Sequence, residues 1–499
     1  MSLACLLLGF LPVAVSPEAE GVDSRQVSRW IEACESQLDA LHGFVLLRHG
    51  RLIAEGTWAP YDTLRSTHRL YSHSKSFTST AIGFLVDDGK LDLDERVVDI
   101  FPDKIPGNPS DNLKALRVRD LLTMNVGADF TDAESRDADG DWERAFLANE
   151  IEHRPGQRFR YDSGATYMLS AIVGRRSGLP LMEFLQKRLF DPIGITSAWS
   201  TASPSGTPCG GWGMNMTTRD LALFGQLYLN RGVWNGVRIL SEEWIALATA
   251  RQTWSGPIGV TGEDGSDWHQ GYGFQFWRCR NGCYRADGAN GQYTIVMPEQ
   301  DAVLSIHAGV HDMQKEIDLV WDFLLPAFGK GALPENKAAE EALRRRCVEL
   351  SLPPVSGGRS GFEAFCGIEC PVTNGADKVT AVRVDAGDGE GGLTIVTSAG
   401  RWSVPVGFGR WARGSVSFSD RRHEALGAII GRQQVATSAG VAADGTLRIR
   451  MLLLDGPQKM DLVFRRDSGR VLAEGALRGI GGRTFAGRSV CESAKSADR

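Results

Sequence analysis

The segment from Ser72 to Leu85 places a hydroxyl and an amine three residues apart at the start of a predicted helix. Phe77, Ala81 and Leu85 recur every four residues, which is typical of an apolar stripe along one helix face. Ser72 and Lys75 emerge together from another face, one turn apart. An unpaired lysine beside a buried helix is costly unless it has a chemical role. The pattern therefore predicts a nucleophile, Ser72, next to its base, Lys75; the alternative is a helix-capping serine followed by a solvated lysine.

Both ends of this helix are marked in the sequence. Gly89 can adopt the left-handed conformation that ends a helix, so we expect the helix to stop within 87–90. At the other end, Ser72 lies where backbone N–H groups lack helical partners and the helix dipole is positive. Negative charge that develops on a substrate beside Ser72 would be stabilised there.

A second candidate segment is Tyr161-Asp162-Ser163, which follows a Pro-Gly turn signal and precedes a predicted helix over 166–173. A phenol and a hydroxyl two residues apart at such a junction can project into one cleft. The alternative is that Tyr161 packs in the core and Ser163 caps the helix.

A third segment, 285–293, is rich in glycine and leads into two apolar runs, 294–297 and 302–306. Two short apolar runs with a four-residue connection predict a β-hairpin. Glycines at its start allow a ligand to approach backbone N–H groups closely, although a plain turn would carry the same residues.

These three segments, in this order and at these separations, resemble the serine β-lactamase-like superfamily, which includes class C β-lactamases, penicillin-binding proteins, D-aminopeptidases and several esterases. Its Ser-x-x-Lys pair matches Ser72 and Lys75. Its Tyr-x-Asn motif matches 161–163, and its Lys-Thr-Gly strand motif matches 286–288. The resemblance covers most of 17–327, and the stretches 121–124, 210–214 and 216–222 are similar to segments that flank the same cleft.

The resemblance implies a metal-independent serine hydrolase that cleaves an ester or amide bond through an acyl-Ser72 intermediate. Lys75, Tyr161 or both would take the proton from Ser72, so these three are the candidate catalytic residues. The backbone N–H groups of Ser72 and Ala289 would hold the oxyanion. The candidate substrate-binding residues are Ser163, Asp287, Gly288 and Ala289, and no cofactor is implied.

Two departures from the family pattern bear on activity. Ser163 replaces the usual asparagine and lacks its two amide donors. Ala286 stands where family members often carry lysine or histidine, so the cation that would meet a substrate carboxylate is missing there. Strand alternation predicts that the adjacent Arg285 faces the opposite side. Efficient β-lactam hydrolysis is therefore not expected. Esterase, linear-amide hydrolase, D-aminopeptidase and β-lactamase types, and a catalytically weak binding or assembly protein, all stay open.

Two histidines, His307 and His311, are four residues apart, as in some zinc hydrolases. That pattern needs a glutamate directly after the first histidine and a helix beneath both, whereas Ala308 and Gly309 follow a predicted strand. We therefore predict no metal site. We also expect His73 to be a packed neighbour of the nucleophile rather than a third catalytic residue.

The composition of the chain restricts its expected binding partners and its expected cellular location. The net charge is −6 without a long basic run, which argues against nucleic acid or an anionic membrane as the partner and favours a small uncharged ester or amide. Nine scattered cysteines indicate reduced thiols and a cytoplasmic location. The apolar stretch 3–15 suits the core of a signal peptide, so export is the alternative, although no lysine or arginine precedes it. The oligomeric state stays open.

The chain divides into four predicted regions. Residues 1–22 form an apolar arm or weak signal-like segment, and 23–328 form the hydrolase domain. Residues 329–360 are a helical and Pro-Gly-rich linker. Short β-type segments recur between glycine turns in 361–499, which predicts an antiparallel, barrel-like or sandwich-like β domain. The predicted fold class is α/β (α+β): an antiparallel sheet flanked by helices, a helical subdomain, and a C-terminal all-β domain.

Overall fold

The computed structural model describes residues 11–129, 140–257, 260–262, 264–371, 379–387, 391–397, 399–418, 431–467, 470–478 and 487–492. The chain forms two compact units. The first consists of Met1–Thr57 and Thr63–Leu350, and the second of Trp58–Asp62 and Ser351–Arg499. The unit boundary at Leu350 falls inside the predicted linker, and the four domain limits given above stay predictions.

Helices and strands of the first unit alternate irregularly along the chain. The helices are α1 Ser24–Gln37, α2 Ser74–Asp87, α3 Val97–Ile100, α4 Asp111–Ala115, α5 Val118–Leu122, α6 Trp142–Leu147, α7 Ser163–Ser177, α8 Leu181–Leu185, α9 Asp191–Ile193, α10 Thr218–Leu229, α11 Glu242–Thr249, α12 Met313–Leu319 and α13 Lys337–Glu349. The strands are β1 Leu41–Arg48, β2 Arg51–Thr57, β3 His68–Arg69, β4 Trp199–Ser200, β5 Met214–Met216, β6 Val233–Trp234, β7 Val237–Arg238, β8 Trp277–Arg278, β9 Tyr284–Gly288, β10 Gln292–Met297 and β11 Ala302–Ala308.

The central element of the first unit is a six-stranded antiparallel sheet with the order β2-β1-β11-β10-β9-β8. The apolar face of α1 packs on one side, where Trp30 meets Phe44 edge to face at 5.1 Å between ring centres. On the other side, α10 packs so closely on β10 and β11 that a Cβ at Gly225 would lie 2.6 Å from side-chain atoms of Thr294 and Val303. This sheet with helices on both faces confirms the predicted fold class.

Helix α2 lies in the largest apolar cluster of the first unit and is buried on all sides from Ser74 to Leu85. The predicted stripe of Phe77, Ala81 and Leu85 is fully buried, and Phe77 stacks on Phe224 at 4.0 Å between ring centres. The helix ends as predicted, because Gly89 takes a φ of 67°.

The strand predictions are confirmed in outline and extended in detail. β1 and β2 form a hairpin, with His49 and Gly50 both at positive φ in its turn. The glycine-rich segment, however, is not only a lead-in to a two-stranded hairpin. It forms β9 and its turn, so that β9, β10 and β11 make a three-stranded antiparallel part of the sheet.

The second unit is all β, as predicted. Its strands are β12 Glu369–Pro371, β13 Ala381–Ala386, β14 Gly391–Thr397, β15 Gly400–Phe408, β16 Ala412–Ser417, β17 Arg432–Val441, β18 Leu447–Leu453, β19 Lys459–Asp467, β20 Arg470–Arg478 and β21 Gly487–Glu492. They form one sheet in which β12 also approaches β21, so the sheet curls into a barrel-like form. Phe362, Leu393, Val435 and Met451 belong to its buried apolar core.

Candidate active site

Ser72 lies in a single 3-10 turn, Tyr71–His73, directly before α2. Tyr71 has a φ of 50°, in the left-handed region that non-glycine residues rarely adopt. The Ser74 hydroxyl supports this turn, since it donates to the Tyr71 carbonyl at 2.6 Å and accepts from the Met214 N–H at 3.1 Å. The turn presents Ser72 at the N-terminal end of a buried helix, where the sequence places it.

Lys75 reaches the hydroxyl of Ser72 and two further acceptors. Its Nζ lies 3.3 Å from Ser72 Oγ, 3.0 Å from Ser163 Oγ and 2.6 Å from the Gly211 carbonyl oxygen. The residue is 1% exposed, and Nζ lies 5.1 Å from the centre of the Tyr161 ring. Ser72, Ser163, Tyr161 and the segment 210–214, all singled out in the sequence, therefore surround the Lys75 amine.

Tyr161 contacts the same hydroxyl from another side. Its phenol lies near the Ser72 hydroxyl, and its ring stacks on Trp277 with 5.7 Å between ring centres. The residue as a whole is 37% exposed, but its hydroxyl end is enclosed by the site. Burial raises the pKa of the Tyr161 phenol far above its usual value, and the Asp287 carboxylate adds to this rise. The phenol is therefore protonated at neutral pH and can donate a proton.

Ser163 is the first residue of α7 and does not cap it. The cap is Asp162, whose carboxylate accepts from the Gly164 N–H at 2.7 Å. The alternative that Ser163 caps the helix is therefore wrong, and its hydroxyl is turned to Lys75 instead. The helix also runs to Ser177, four residues past the predicted span, and ends where Gly178 takes a φ of 75°.

The side chains of β9 alternate between the two faces of the sheet. Ala286 is buried in the apolar cluster that contains α2, whereas Arg285 and Asp287 share the opposite face, as alternation predicts. Arg285 Nε donates to Asp287 Oδ2 at 2.8 Å in a buried ion pair. Burial raises the pKa of Asp287, while Arg285 and the charge of Lys75 oppose the rise. The Asp287 carboxylate therefore lies close enough to Lys75 for the two groups to interact electrostatically.

Gly288 and Ala289 lie where β9 ends, beside the turn that carries Ser72. A Cβ at Gly288 would lie 2.0 Å from the Leu70 carbonyl oxygen and 3.2 Å from the His73 nitrogen. Only glycine allows the two backbones to come this close. The end of β9 and the turn that carries Ser72 are consequently in direct backbone contact.

An aromatic cage around Arg285 was missed by sequence reasoning. The guanidinium carbon lies 4.3 Å from the ring centre of Trp268, 5.5 Å from Trp277 and 5.8 Å from Tyr293. Since Trp277 also stacks on Tyr161, the cage joins the buried ion pair to the wall of the site. The sequence gives no signal for it, because these rings come from separate segments.

Gln275 was also missed. It has a φ of 65°, and its carbonyl accepts from the Ser76 hydroxyl at 2.7 Å. Its side chain accepts from Thr166 at 2.7 Å and donates to the Leu122 carbonyl at 2.8 Å. This one residue ties α2, α5 and α7 together behind the site, and a lone glutamine carries no recognisable pattern.

The two histidines considered as metal ligands, His307 and His311, have different surroundings. His307 is buried in β11, with Nδ1 2.9 Å from Gln292 Oε1 and Nε2 3.3 Å from the Met216 carbonyl oxygen, while His311 is exposed. Within the described residues, no three His, Cys, Asp or Glu side chains cluster as metal ligands. His73 is packed as predicted, with Nε2 2.8 Å from Thr294 Oγ1.

Across the described ranges, no helix is both long enough and apolar enough to span a lipid bilayer. The predicted signal-like segment lies mostly in 1–10, outside the described residues.

Known proteins resemble the first unit. The chain is 28% identical to the 6-aminohexanoate-dimer hydrolase of Paenarthrobacter ureafaciens over 285 residues, which are 52% of this chain and 70% of that protein. It is 26% identical to penicillin-binding protein 4 of Amycolatopsis lactamdurans over 49% of this chain and 72% of the relative. A solved structure from Bacillus anthracis, provisionally named a 6-aminohexanoate-dimer hydrolase, matches with a TM-score of 0.53 at 21% identity, over 65% of this chain and 89% of its own.

The family model described as Beta-lactamase matches residues 31–315, which are more than half of the chain and include every predicted site residue. Together with the sheet and helix arrangement above, this match means that the chain belongs to the Beta-lactamase family of hydrolases.

Proposed function

We propose that the protein is a metal-independent serine hydrolase that cleaves an ester or amide bond through an acyl-Ser72 intermediate. The observation that carries this proposal is the contact of Lys75 Nζ with Ser72 Oγ at 3.3 Å, inside a buried pocket of acceptors. A neutral amine has two hydrogens and one lone pair. If it donates to Gly211 and Ser163, its lone pair remains for the hydrogen of Ser72.

Burial distinguishes the two candidate bases, Lys75 and Tyr161. The raised pKa of Tyr161 disfavours a phenolate, so Lys75 is the better acceptor of the first proton. The Lys75 ammonium then returns this proton to the leaving group through the Tyr161 hydroxyl, which receives one proton as it gives another, so that no phenolate is left. Water would resolve the acyl-enzyme by the reverse path. The N–H groups of Ser72 and Ala289 would hold the oxyanion, each contributing about 3 kcal/mol.

The substrate class is proposed from the relatives and from β9. The name of the Paenarthrobacter relative gives a dimer of an amino acid as its substrate, which supports a linear amide or ester over a β-lactam ring. Ala286 and the acidic Asp287 also make a poor site for the carboxylate of a β-lactam. The proposed substrate therefore has a small, linear acyl group without a carboxylate.

The proposal is tested by steady-state hydrolysis of p-nitrophenyl butyrate with a metal chelator present throughout. We expect sustained turnover by the wild type and a loss of at least 10³-fold in the Ser72→Ala variant, because the nucleophile supplies the covalent route. Turnover that survives the substitution would refute the Ser72 mechanism. A single burst without further turnover would instead favour the weak binding protein on the same fold.

A further inference from the structure

The turn 289–291, which joins β9 to β10, is held by side chains rather than by its own hydrogen bonds alone. Asn290 and Gly291 have φ values of 65° and 85°. A Cβ at Gly291 would lie 2.0 Å from Glu316 Oε2, so the turn also packs tightly against α12. Ala289, whose N–H we place in the oxyanion site, therefore sits in a turn of unusual backbone conformation.

Gln292, the first residue of β10, supplies the main side-chain support. It is fully buried, and its Nε2 donates to the carbonyl oxygens of Ala289 at 3.2 Å, Asn290 at 3.1 Å and Ala308 at 2.7 Å. The amide thus binds two carbonyls of the turn and one of the neighbouring strand. Gln292 is also the residue opposite Gly288 in the β9–β10 ladder, so one residue lies against the chain before and after Ala289.

His307 fixes the orientation of this amide. Its Nδ1 lies 2.9 Å from Gln292 Oε1, and the same oxygen accepts from the Ala308 N–H at 3.4 Å. A reversed amide would turn its oxygen toward three carbonyl oxygens, which is unfavourable. His307 is itself held by stacking on His68, with 4.4 Å between ring centres.

We propose that Gln292, oriented by His307, is a positioning residue. It holds the Ala289 N–H so that this group points at the oxyanion that forms when Ser72 attacks the substrate carbonyl. This inference rests on the proposed function. Gln292 does not touch the reacting atoms. It acts through the turn, so its loss should slow the formation of the tetrahedral intermediate more than it weakens substrate binding.

The first test compares acylation by p-nitrophenyl butyrate in the wild type, in Gln292→Leu and in Ser305→Ala. Gln292→Leu is expected to lower the acylation rate constant roughly 10- to 100-fold, which is less than the effect of removing an oxyanion donor outright. We expect KM to change less than about threefold. Ser305 is a buried hydroxyl on β11 that bonds Thr294 and not the turn, so its variant controls for lost buried polar contacts and should acylate at the wild-type rate. Equal acylation by Gln292→Leu and wild type would overturn the proposal.

Gln292→Glu supplies a pH-dependent readout, measured as the acylation rate constant of protein shown by circular dichroism to be folded at each pH. A protonated carboxyl can donate one hydrogen bond to the turn, so this variant should retain more activity at acid pH than Gln292→Leu. Activity should then fall as the pH rises and the carboxylate faces three carbonyl oxygens. An unchanged pH profile would contradict the inference.

Hydrogen–deuterium exchange separates this inference from the proposed function. Exchange of the backbone amides in 288–292 should speed up in Gln292→Leu and stay unchanged in Ser305→Ala. If the turn loosens but acylation does not slow, while turnover still depends on Ser72, the positioning role is wrong and the hydrolase proposal stands. If wild-type turnover does not depend on Ser72, both fail together.

Discussion

At the scale of single residues, the site is organised around one buried amine. The hydrogen-bond partners of Lys75 include the hydroxyls of Ser72 and Ser163 and the Gly211 carbonyl. Motif spacing alone predicts the pair. Spacing cannot show that Gly211 contributes a backbone carbonyl, because a carbonyl is present at every residue and only its position makes it specific.

The exchange of asparagine for serine in the second motif becomes clearer at this scale. Ser163 Oγ keeps a contact with Lys75 at 3.0 Å, so the shorter side chain still reaches the amine. What the change removes is an amide that could also bind substrate. We therefore expect this exchange to affect substrate recognition more than proton transfer.

Charge selection by Asp287 is testable with a pair of esters. A substrate carboxylate near this buried acid would be repelled, so p-nitrophenyl butyrate should have a kcat/KM roughly tenfold or more above that of the p-nitrophenyl monoester of glutarate. Asp287→Asn keeps an oxygen for Arg285 and removes the charge, and should reduce the difference to less than about threefold. The comparison is made by initial rates, with thermal unfolding as a control for folding. Equal rates for the two esters in the wild type would contradict this role.

At the scale of helices and strands, the elements with strong local patterns were predictable. The stripe of α2, its glycine stop and the β1–β2 turn all depend on residues within one element. The strand in the glycine-rich segment was indicated only by the family resemblance and not by its own residues, since β9 is stabilised by its neighbours in the sheet and by the buried pair Arg285–Asp287. Tertiary packing overrides weak local propensity there.

Buried histidines connect several strands of the first unit. His42 Nδ1 lies 3.0 Å from His68 Nε2, and His68 stacks on His307. Burial lowers the pKa of His68 to about 3 and that of His73 to about 3 as well. Burial also lowers the pKa of His307 well below its usual value, with the neighbouring histidines adding to the effect. These strands therefore require neutral imidazoles.

The stability of the first unit should consequently fall in mild acid. Below about pH 6.5 the unfolded chain binds protons at these imidazoles, whereas the folded chain does not until about pH 3 for His68. Stability is therefore complete above pH 6.5 and is lost as the pH falls. Each such histidine should lower the free energy of unfolding by about 1.4 kcal/mol between pH 7.5 and pH 5.5.

Urea unfolding at several pH values measures this dependence. His68→Gln should flatten the curve by about one histidine's share, while His311→Gln, at an exposed position, should leave its slope unchanged. A free energy of unfolding that is constant from pH 7.5 to 5.5 would show that the imidazoles are not held neutral.

At the scale of the whole molecule, the sequence predicted a hydrolase part followed by an all-β part, and the structure has two compact units of these kinds. The assignment of 58–62 to the second unit was not predictable. Tyr61 in this segment packs with Leu452 and Leu454, which lie almost four hundred residues further along the chain. Contacts of such long range leave no local pattern.

The candidate site shows the same limit. Residues that lie in the three motifs were found from the sequence, and Ser72, Lys75, Tyr161 and Ser163 do meet. Residues that support the site from outside the motifs, such as Gln275 and Gln292, were not found. Their roles depend on which carbonyls the fold brings within reach, and that information is absent from spacing.

Covalent labelling of the full chain tests the central claim most directly. A p-nitrophenyl alkylphosphonate should label one residue per chain, release one equivalent of p-nitrophenol, and place the phosphonyl group on Ser72, as read by peptide mass spectrometry. Ser72→Ala should not be labelled, and Lys75→Met should be labelled roughly 10²- to 10⁴-fold more slowly because it lacks the base. Label on another residue, or equal labelling of Ser72→Ala, would contradict the account.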